Sequence, residues 1–429
     1  MRFTTAILLA LASGCATSPA STPAPVAMPA SAVTSVGRPT LSGAAPGLRR
    51  GLAQADSLIA ASIGKLTPGA VFLVSHNGML VQDTAFGYAQ LNDYEGHRLG
   101  SPPPMTTSTM FDLASVTKVM GTTMGVMLLV DQGRVDLDAP VYRYLPDFRG
   151  VHKDSITVRN LLSHSAGLVQ WQPTYYHASN EQQAYAVIRD MPLQWGVGAG
   201  RHYSDFSFML LGYIVEHVSG QHLDVFLDSA LYRPLGLDST TFVPKEHGFT
   251  RFAATEQGNV YERHMVYDST FGYRYLGDPT AWNGWRHYVL NGEVDDGNSF
   301  YAHGGIAGHA GLFSTAGQLR VLLDMLDGGG VSGRRVLSAD VIRTFLTRDR
   351  YDNYLGWMRS PSLPEGSFYH TGFTGTYVLG VPKYGLSVVL LTNRQNMGPD
   401  ARGYFPNVGP LQESVAAAIV HGAEQDALR

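Results

Sequence analysis

The chain holds one cysteine, Cys15, in 429 residues. A disulfide within the chain is therefore excluded, and so is a cysteine-built metal framework. Charge is scarce as well: Asp, Glu, Lys and Arg make up 15% of the sequence, with a formal net charge of −4. No long basic run occurs, which sets nucleic acid aside as a partner. G-x-S-x-G is missing, so the α/β-hydrolase route to serine catalysis has no support. H-E-x-x-H is missing too, although "HGGIAGHAG" (303–311) puts His303 and His309 six apart. That spacing fits no zinc pattern, and its glycines point to a tight turn, so no metal is expected. What is present is an ordinary globular balance, 44% apolar, enough for one large domain or two.

The first 15 residues, "MRFTTAILLALASGC", read as a targeting segment. An arginine precedes the apolar stretch Ala6–Ala12, which is too short to span a bilayer as a mature helix. "ASGC" resembles a bacterial lipobox, which would make Cys15 a lipid-attachment site; cleavage near "ATSPA" is the alternative. Either route takes the protein out of the cytoplasm, to the periplasmic cell envelope, and an acylated Cys15 would tether it to a membrane. Residues 16–46, rich in Ala, Pro, Ser and Thr, read as a flexible spacer.

Beyond the spacer, "LRRGLAQADSLIAASIGK" (48–65) has helical spacing. "GAVFLVS" and "MLVQDTAFGYA" read as strands joined at a hairpin signal, "HNG". "TVRNLLSH", "DFSFMLLGYIVEHVSG" (205–220) and "LDVFLDSALYRPLGL" read as helices, residues 240–300 are aromatic and resist assignment, and 367–392 are again hairpin-like. The expected fold is mixed α/β: an antiparallel sheet flanked by helices, from 47–113 and 310–429, beside a helical lobe of about 114–309. A cleft between the two suits a small-molecule site.

"LASVTKVM" (113–120) sets Ser115 and Lys118 three apart in an apolar run. On a helix those positions share a face. Serine needs a neighbouring base to act as a nucleophile. A desolvated amine loses its charge readily, so a neutral or proton-sharing Lys118 could take the Ser115 proton. A second S-x-x-K, Ser62 to Lys65, lies at a helix end beside Gly64 and Pro68, where its lysine reads as a solvated charge.

With "GRHYSDFSFMLLG", "HGGIAGHAGLFSTAGQL" and "FYHTGFTGTYV" following in order, the chain resembles the serine β-lactamase and penicillin-binding protein superfamily, in its class C-like branch, from about residue 50 to 425. The resemblance implies the β-lactamase/transpeptidase-like fold and makes Ser115 the acyl-forming nucleophile with Lys118 as its base partner. Tyr203, in "YSD", would relay protons; Tyr351-Asp352-Asn353 is a competing match that does not directly precede a helix. The backbone N–H groups of Ser115 and Phe373 would form the oxyanion hole. Asp205, His370, Thr371 and Gly372 would contact substrate, His370-Thr371-Gly372 standing where K-T-G is usual. The strand carrying them is an edge that could pair with an extended substrate. Asp205 replaces the common Asn and cannot donate to a substrate carbonyl, and His370 carries less positive charge than lysine. Both departures lead away from β-lactams. The implied activity is an exported serine hydrolase, without cofactor, cleaving D-Ala-type peptidoglycan peptides or small esters and amides. A β-lactamase and a non-catalytic envelope binding protein are the alternatives. His164 and His309 are expected to be structural.

Overall fold

Helix α1 (Pro46–Ser62) is the first described helix and has Pro46 at its first position, where a backbone N–H would have no acceptor within the helix. The structure, a computed structural model, describes residues 43–327 and 336–429. Cys15, the targeting segment and most of the spacer lie outside the described residues. All described residues belong to one unit, Val33–Arg429.

Strands β1 (Gly69–His76) and β2 (Met79–Gly87) form the expected hairpin. Its turn residues Asn77 and Gly78 both have positive φ, 51° and 75°, as the twist-matched two-residue turn requires. Short strands β3 (Phe111–Asp112), β4 (Thr241–Phe242) and β5 (Leu312–Ser314) make a separate sheet in the order β3-β5-β4. Strands β6 (Phe368–Thr371), β7 (Tyr377–Val381) and β8 (Leu386–Thr392) complete the main sheet, ordered β2-β1-β8-β7-β6 and antiparallel throughout. β6 is an edge, but Met358 already bridges it at Tyr369.

The side-chain alternation of β1 explains the layering. Val71 and Leu73 join the core shared with the helical middle of the chain. Ala70, Phe72 and Val74 face the opposite way, against α1 and the last helix. A strand covered on both faces reads as a continuous apolar run rather than an alternating one. The helices that matter for the site are α2 (Thr123–Asp131), α3 (Asp205–Ser219), α4 (Val260–Tyr267), α5 (Gly297–His303), α6 (Ala316–Leu326) and α7 (Gly409–Ala427). Helix α3 is buried from Phe206 to Val215 and stops at Gly220, whose φ is 74°. No described helix is long and apolar enough to cross a membrane.

The first and last described helices hold each other. The Asp426 carboxylate at the end of α7 accepts from the Gly47 and Leu48 N–H groups, each at 2.7 Å. These donors have no partner inside α1. Asp426→Ala is expected to lower the unfolding free energy by about 1–2 kcal/mol, read as a shifted urea midpoint with an unchanged slope.

Candidate active site

The segment 113–120 does not start as an α-helix. Ala114–Val116 form a tight 3₁₀ turn, a wide five-residue π turn follows at Lys118–Thr122, and only then does α2 begin. In a 3₁₀ turn, side chains three apart eclipse each other. Lys118 Nζ accordingly donates to Ser115 Oγ at 3.0 Å. Ala114 takes φ 45°, unusual for a residue with a side chain. Its N–H is held by Asp112 Oδ1 at 2.8 Å.

The Lys118 head is fully buried, at 0% exposure. It donates three ways: to Ser115 Oγ, to the His309 carbonyl at 3.1 Å, and to Asp205 Oδ1 at 2.7 Å. This corrects the expected charge state. Burial does push the amine down, but the Asp205 carboxylate and the Tyr203 phenol outweigh it and raise Lys118 above its ordinary value. The apolar flanks visible in the sequence omit this partner, 87 residues away at the start of α3. Lys118 is an ammonium in the resting site, not a free base.

Loop 304–311 delivers the His309 carbonyl because it can press against α3. A Cβ on Gly308 would sit 2.1 Å from the Phe208 carbonyl oxygen. The Gly308 carbonyl in turn accepts from Thr122 Oγ1 at 2.6 Å. His309 Nε2 meets Asp296 Oδ1 at 2.8 Å. Burial alone would raise Asp296; His309 and the Ser299 N–H bring it down to about 2.

Tyr203 stands beside Lys118, whose Nζ lies 5.0 Å from the ring centre. The ring stacks on His164 at 4.4 Å. His164 accepts from the Ser204 N–H through Nδ1 at 3.0 Å. Burial, then the charges of Arg201 and Lys118, hold His164 well below its ordinary value, so it is neutral. The sequence reading gave it only a local role at a helix end; the contact with Tyr203 joins positions 39 apart and has no local signal. Tyr351 is engaged elsewhere, donating to the Gly198 carbonyl at 2.9 Å.

The β6–β7 connection closes the other side. Thr374 Oγ1 donates to the Asp112 carbonyl at 2.8 Å, and Thr376 Oγ1 to the Leu113 carbonyl at 2.9 Å. These bonds fasten Phe373 to the Ser115 turn. The approach needs Gly372, where a Cβ would lie 2.4 Å from the Leu113 oxygen. The Ser115 N–H, second in its turn, has no acceptor within it. Among the described residues no hydrogen bond engages the Phe373 N–H either. His370 is 1% exposed, bonds the Thr371 carbonyl through Nδ1 at 2.8 Å, and is pushed down to about 3 by burial and the Lys118 charge. It is neutral and absent from the cavity wall; Thr371 and Gly372 are absent from it too.

The cavity beside Ser115 measures about 390 Å³. Tyr203, Asp205 and Phe373 line it, with Trp171, Tyr261, Tyr273 and four acids that the sequence reading missed: Glu256, Glu262, Asp295 and Asp296. All four come from the stretch 240–300. Burial and neighbouring acids raise Asp295 to about 6, Glu262 to about 8, and Glu256 well above its ordinary value. Among the described residues, the His and carboxylate groups close enough to share a cation are Asp93-Glu95-His97 and Glu181-Glu216-His222, and neither includes a residue of this cavity.

A family model described as Beta-lactamase matches residues 55–410. An N-acetylmuramyl-L-alanine amidase of Bacillus subtilis (strain 168) is 34% identical over 375 residues, 80% of this chain and 81% of its own. A putative D-alanyl-D-alanine carboxypeptidase of Escherichia coli (strain K12) is 32% identical over 375 residues, 80% and 82%. A solved penicillin-binding protein homologue from Caulobacter crescentus has a TM-score of 0.63 at 20% identity, covering 88% of this chain and 98% of that one.

Acids raised in the folded state bind protons that the unfolded chain has released. Stability is therefore full below the unfolded values, near 4, and falls as pH rises through the folded ones, from about 6 for Asp295 to about 8 for Glu262. The expected slope is about 1.4 kcal/mol per pH unit for each extra proton held. Urea titrations at intervals from pH 4.5 to 8.5 measure it, and Glu256→Gln is expected to flatten the curve.

Proposed function

The chain belongs to the Beta-lactamase family, and from that membership we propose that this serine hydrolase is an exported amidase acting on peptidoglycan fragments through an acyl-enzyme at Ser115. The observation that carries the reading is the three-way anchorage of Lys118 on Ser115, Asp205 and the His309 carbonyl, beside two free N–H groups. The names of the two relatives support it, since both describe cleavage of an amide bond of the cell wall.

Ser115 Oγ attacks the substrate carbonyl carbon, and its proton passes to the Tyr203 oxygen, which enters the step as a phenolate beside the Lys118 ammonium. The carbonyl oxygen becomes an oxyanion held by the Ser115 and Phe373 N–H groups, one such donor being worth about 10²–10³ in rate. Tyr203 then gives its proton to the departing nitrogen as the C–N bond breaks. Water attacks the resulting ester, Tyr203 takes the water proton, and Ser115 recovers a proton as the acid leaves. Lys118 stays an ammonium. It fixes the Ser115 oxygen and offsets negative charge at Tyr203 and at the alkoxide. Asp205 keeps that charge in place. β-Lactam hydrolysis ranks below amide hydrolysis because Asp205 is an acceptor already committed to Lys118.

Export and a lipid anchor at Cys15 belong to the same reading. Cys15→Ser is expected to move the protein from the membrane pellet to the soluble envelope fraction, read by immunoblot.

Ser115→Ala should lower turnover of a p-nitrophenyl ester by about 10⁴-fold or more and abolish labelling by a fluorophosphonate; labelling that survives removes Ser115 from the mechanism. In Asp205→Asn burial is opposed by Tyr203 alone, and Lys118 is lowered from its value in the wild type. The variant should lose kcat/KM as pH rises through that lowered value, an alkaline limb that wild type lacks. A gain in activity at high pH would instead make a neutral Lys118 the base.

A further inference from the structure

We propose that the cavity beside Ser115 is a sugar subsite, in which Glu256 and Asp295 hydrogen-bond the hydroxyl or acylamino groups of a pyranose carried by the substrate's acyl part. The inference rests on the acyl-enzyme reading for the bond that is cut, and deepens it by naming what the acyl group carries.

Two buried oxygens have nothing to bond. Glu256 Oε2 and Asp295 Oδ1 lack any hydrogen-bond partner, although their residues are only 1% and 7% exposed and both line the cavity. Buried polar atoms in folded proteins are nearly always satisfied, and an orphan in a cavity wall calls for a ligand or an ordered water. The partner oxygens are occupied: Asp295 Oδ2 accepts from Gln395 Nε2 at 2.9 Å, and Glu256 accepts from the Tyr261 N–H. The free oxygens are thus held in fixed positions.

Their charge decides between ligands. Five acids line the cavity. Lys118 is paired with Asp205, and the cavity lining itself includes no lysine or arginine; Arg201 and Arg394 lie behind the Tyr203 and Phe373 rings. An acyl group that itself carries a carboxylate would enter an acidic cavity with neither cation in its lining. Burial and the neighbouring Asp295 raise Glu256 well above its ordinary value, which favours its protonated form. A protonated carboxyl both donates and accepts, which suits neutral hydroxyl and amide groups better than an ammonium.

The remaining walls are aromatic. Trp171 lies nearly parallel to Tyr273, with ring centres 6.4 Å apart, and Tyr261 meets Phe373 edge-on at 4.8 Å. Tyr273 and Phe373 are the exposed members of the two pairs. Aromatic faces with a few fixed polar groups between them match a ring whose faces are C–H and whose rim is polar. With the acyl carbon at Ser115 and a sugar in the cavity, the amide cut is the one joining a sugar-borne acid to its peptide.

The test compares N-acetylmuramyl-L-alanine with D-lactyl-L-alanine, which has the same scissile amide without the sugar, using full-length protein. D-alanine p-nitroanilide supplies a free ammonium, diacetyl-lysyl-D-alanyl-D-alanine a peptidyl acyl group in place of the sugar, and p-nitrophenyl acetate reports the acyl-enzyme chemistry by itself. The sugar-bearing amide should exceed the lactyl amide at least 100-fold in kcat/KM. Glu256→Gln and Asp295→Asn should each reduce that preference at least tenfold, chiefly through KM. Binding of N-acetylglucosamine to Ser115→Ala, followed by saturation-transfer NMR, is a second readout that needs no turnover. Sugar binding without ester turnover leaves the subsite standing and removes the acyl-enzyme reading. Ester turnover with equal use of the sugar and lactyl amides, or with preference for the ammonium or peptidyl substrate, overturns the subsite alone.

Discussion

One buried ammonium organises this site. Lys118 has no water to turn to, so each of its three protons needs a protein oxygen, and each oxygen comes from a different part of the chain. The Ser115 hydroxyl comes from the adjacent turn, the His309 carbonyl from a glycine-rich loop, and the Asp205 carboxylate from the first residue of α3. Lose the carboxylate and the charge is uncompensated in the interior, a cost of about 3–5 kcal/mol for a broken buried pair. The ion pair thus fixes where the loop, the turn and the helix stand relative to one another.

The two departures from the superfamily pattern become one change when seen around that ammonium. Asp205 adds a negative charge next to Lys118, and His370, buried and neutral, withdraws a positive one from the far side of Tyr203. The site keeps its cation inside, bound to the nucleophile, and presents acids and aromatic rings to the substrate. Recognition of an anionic group is weakened by the same arrangement that keeps Lys118 charged.

Much of the fold was legible because it obeys local periodicity. The β1–β2 hairpin was announced by Asn77-Gly78, and α3 by an apolar run ending at Gly220. The Ser115–Lys118 pair was legible from spacing, yet its charge was not, since apolar neighbours predict a neutral amine and the deciding carboxylate is remote in sequence. Residues 240–300 stayed opaque for a similar reason. Their short elements are held by distant partners, as where the Asp295 N–H donates to Asp112 Oδ2 at 2.6 Å and Asn298 Oδ1 accepts from Thr174. No period marks such bonds, and four of the cavity's acids lie in that stretch. The β6 edge looked open from its sequence, but Met358 bridges it at Tyr369 from a loop with no strand pattern.

In the main sheet, Ala70 of β1 lies opposite Thr392 of β8, and α1 is fastened to Asp426. The first strand to leave the ribosome therefore waits for nearly the last. Contacts of such long separation are slow to close, and partially built states expose unpaired edges in the meantime. The helical middle, with its local contacts, is complete in the nascent chain well before the sheet can be. Phe373 reaches Ser115 only when β6 and β7 have joined that sheet, so the two donors for the oxyanion meet only after Val381 has been made. A chain cut short by a few dozen residues keeps its nucleophile and its lysine but has no finished machine around them.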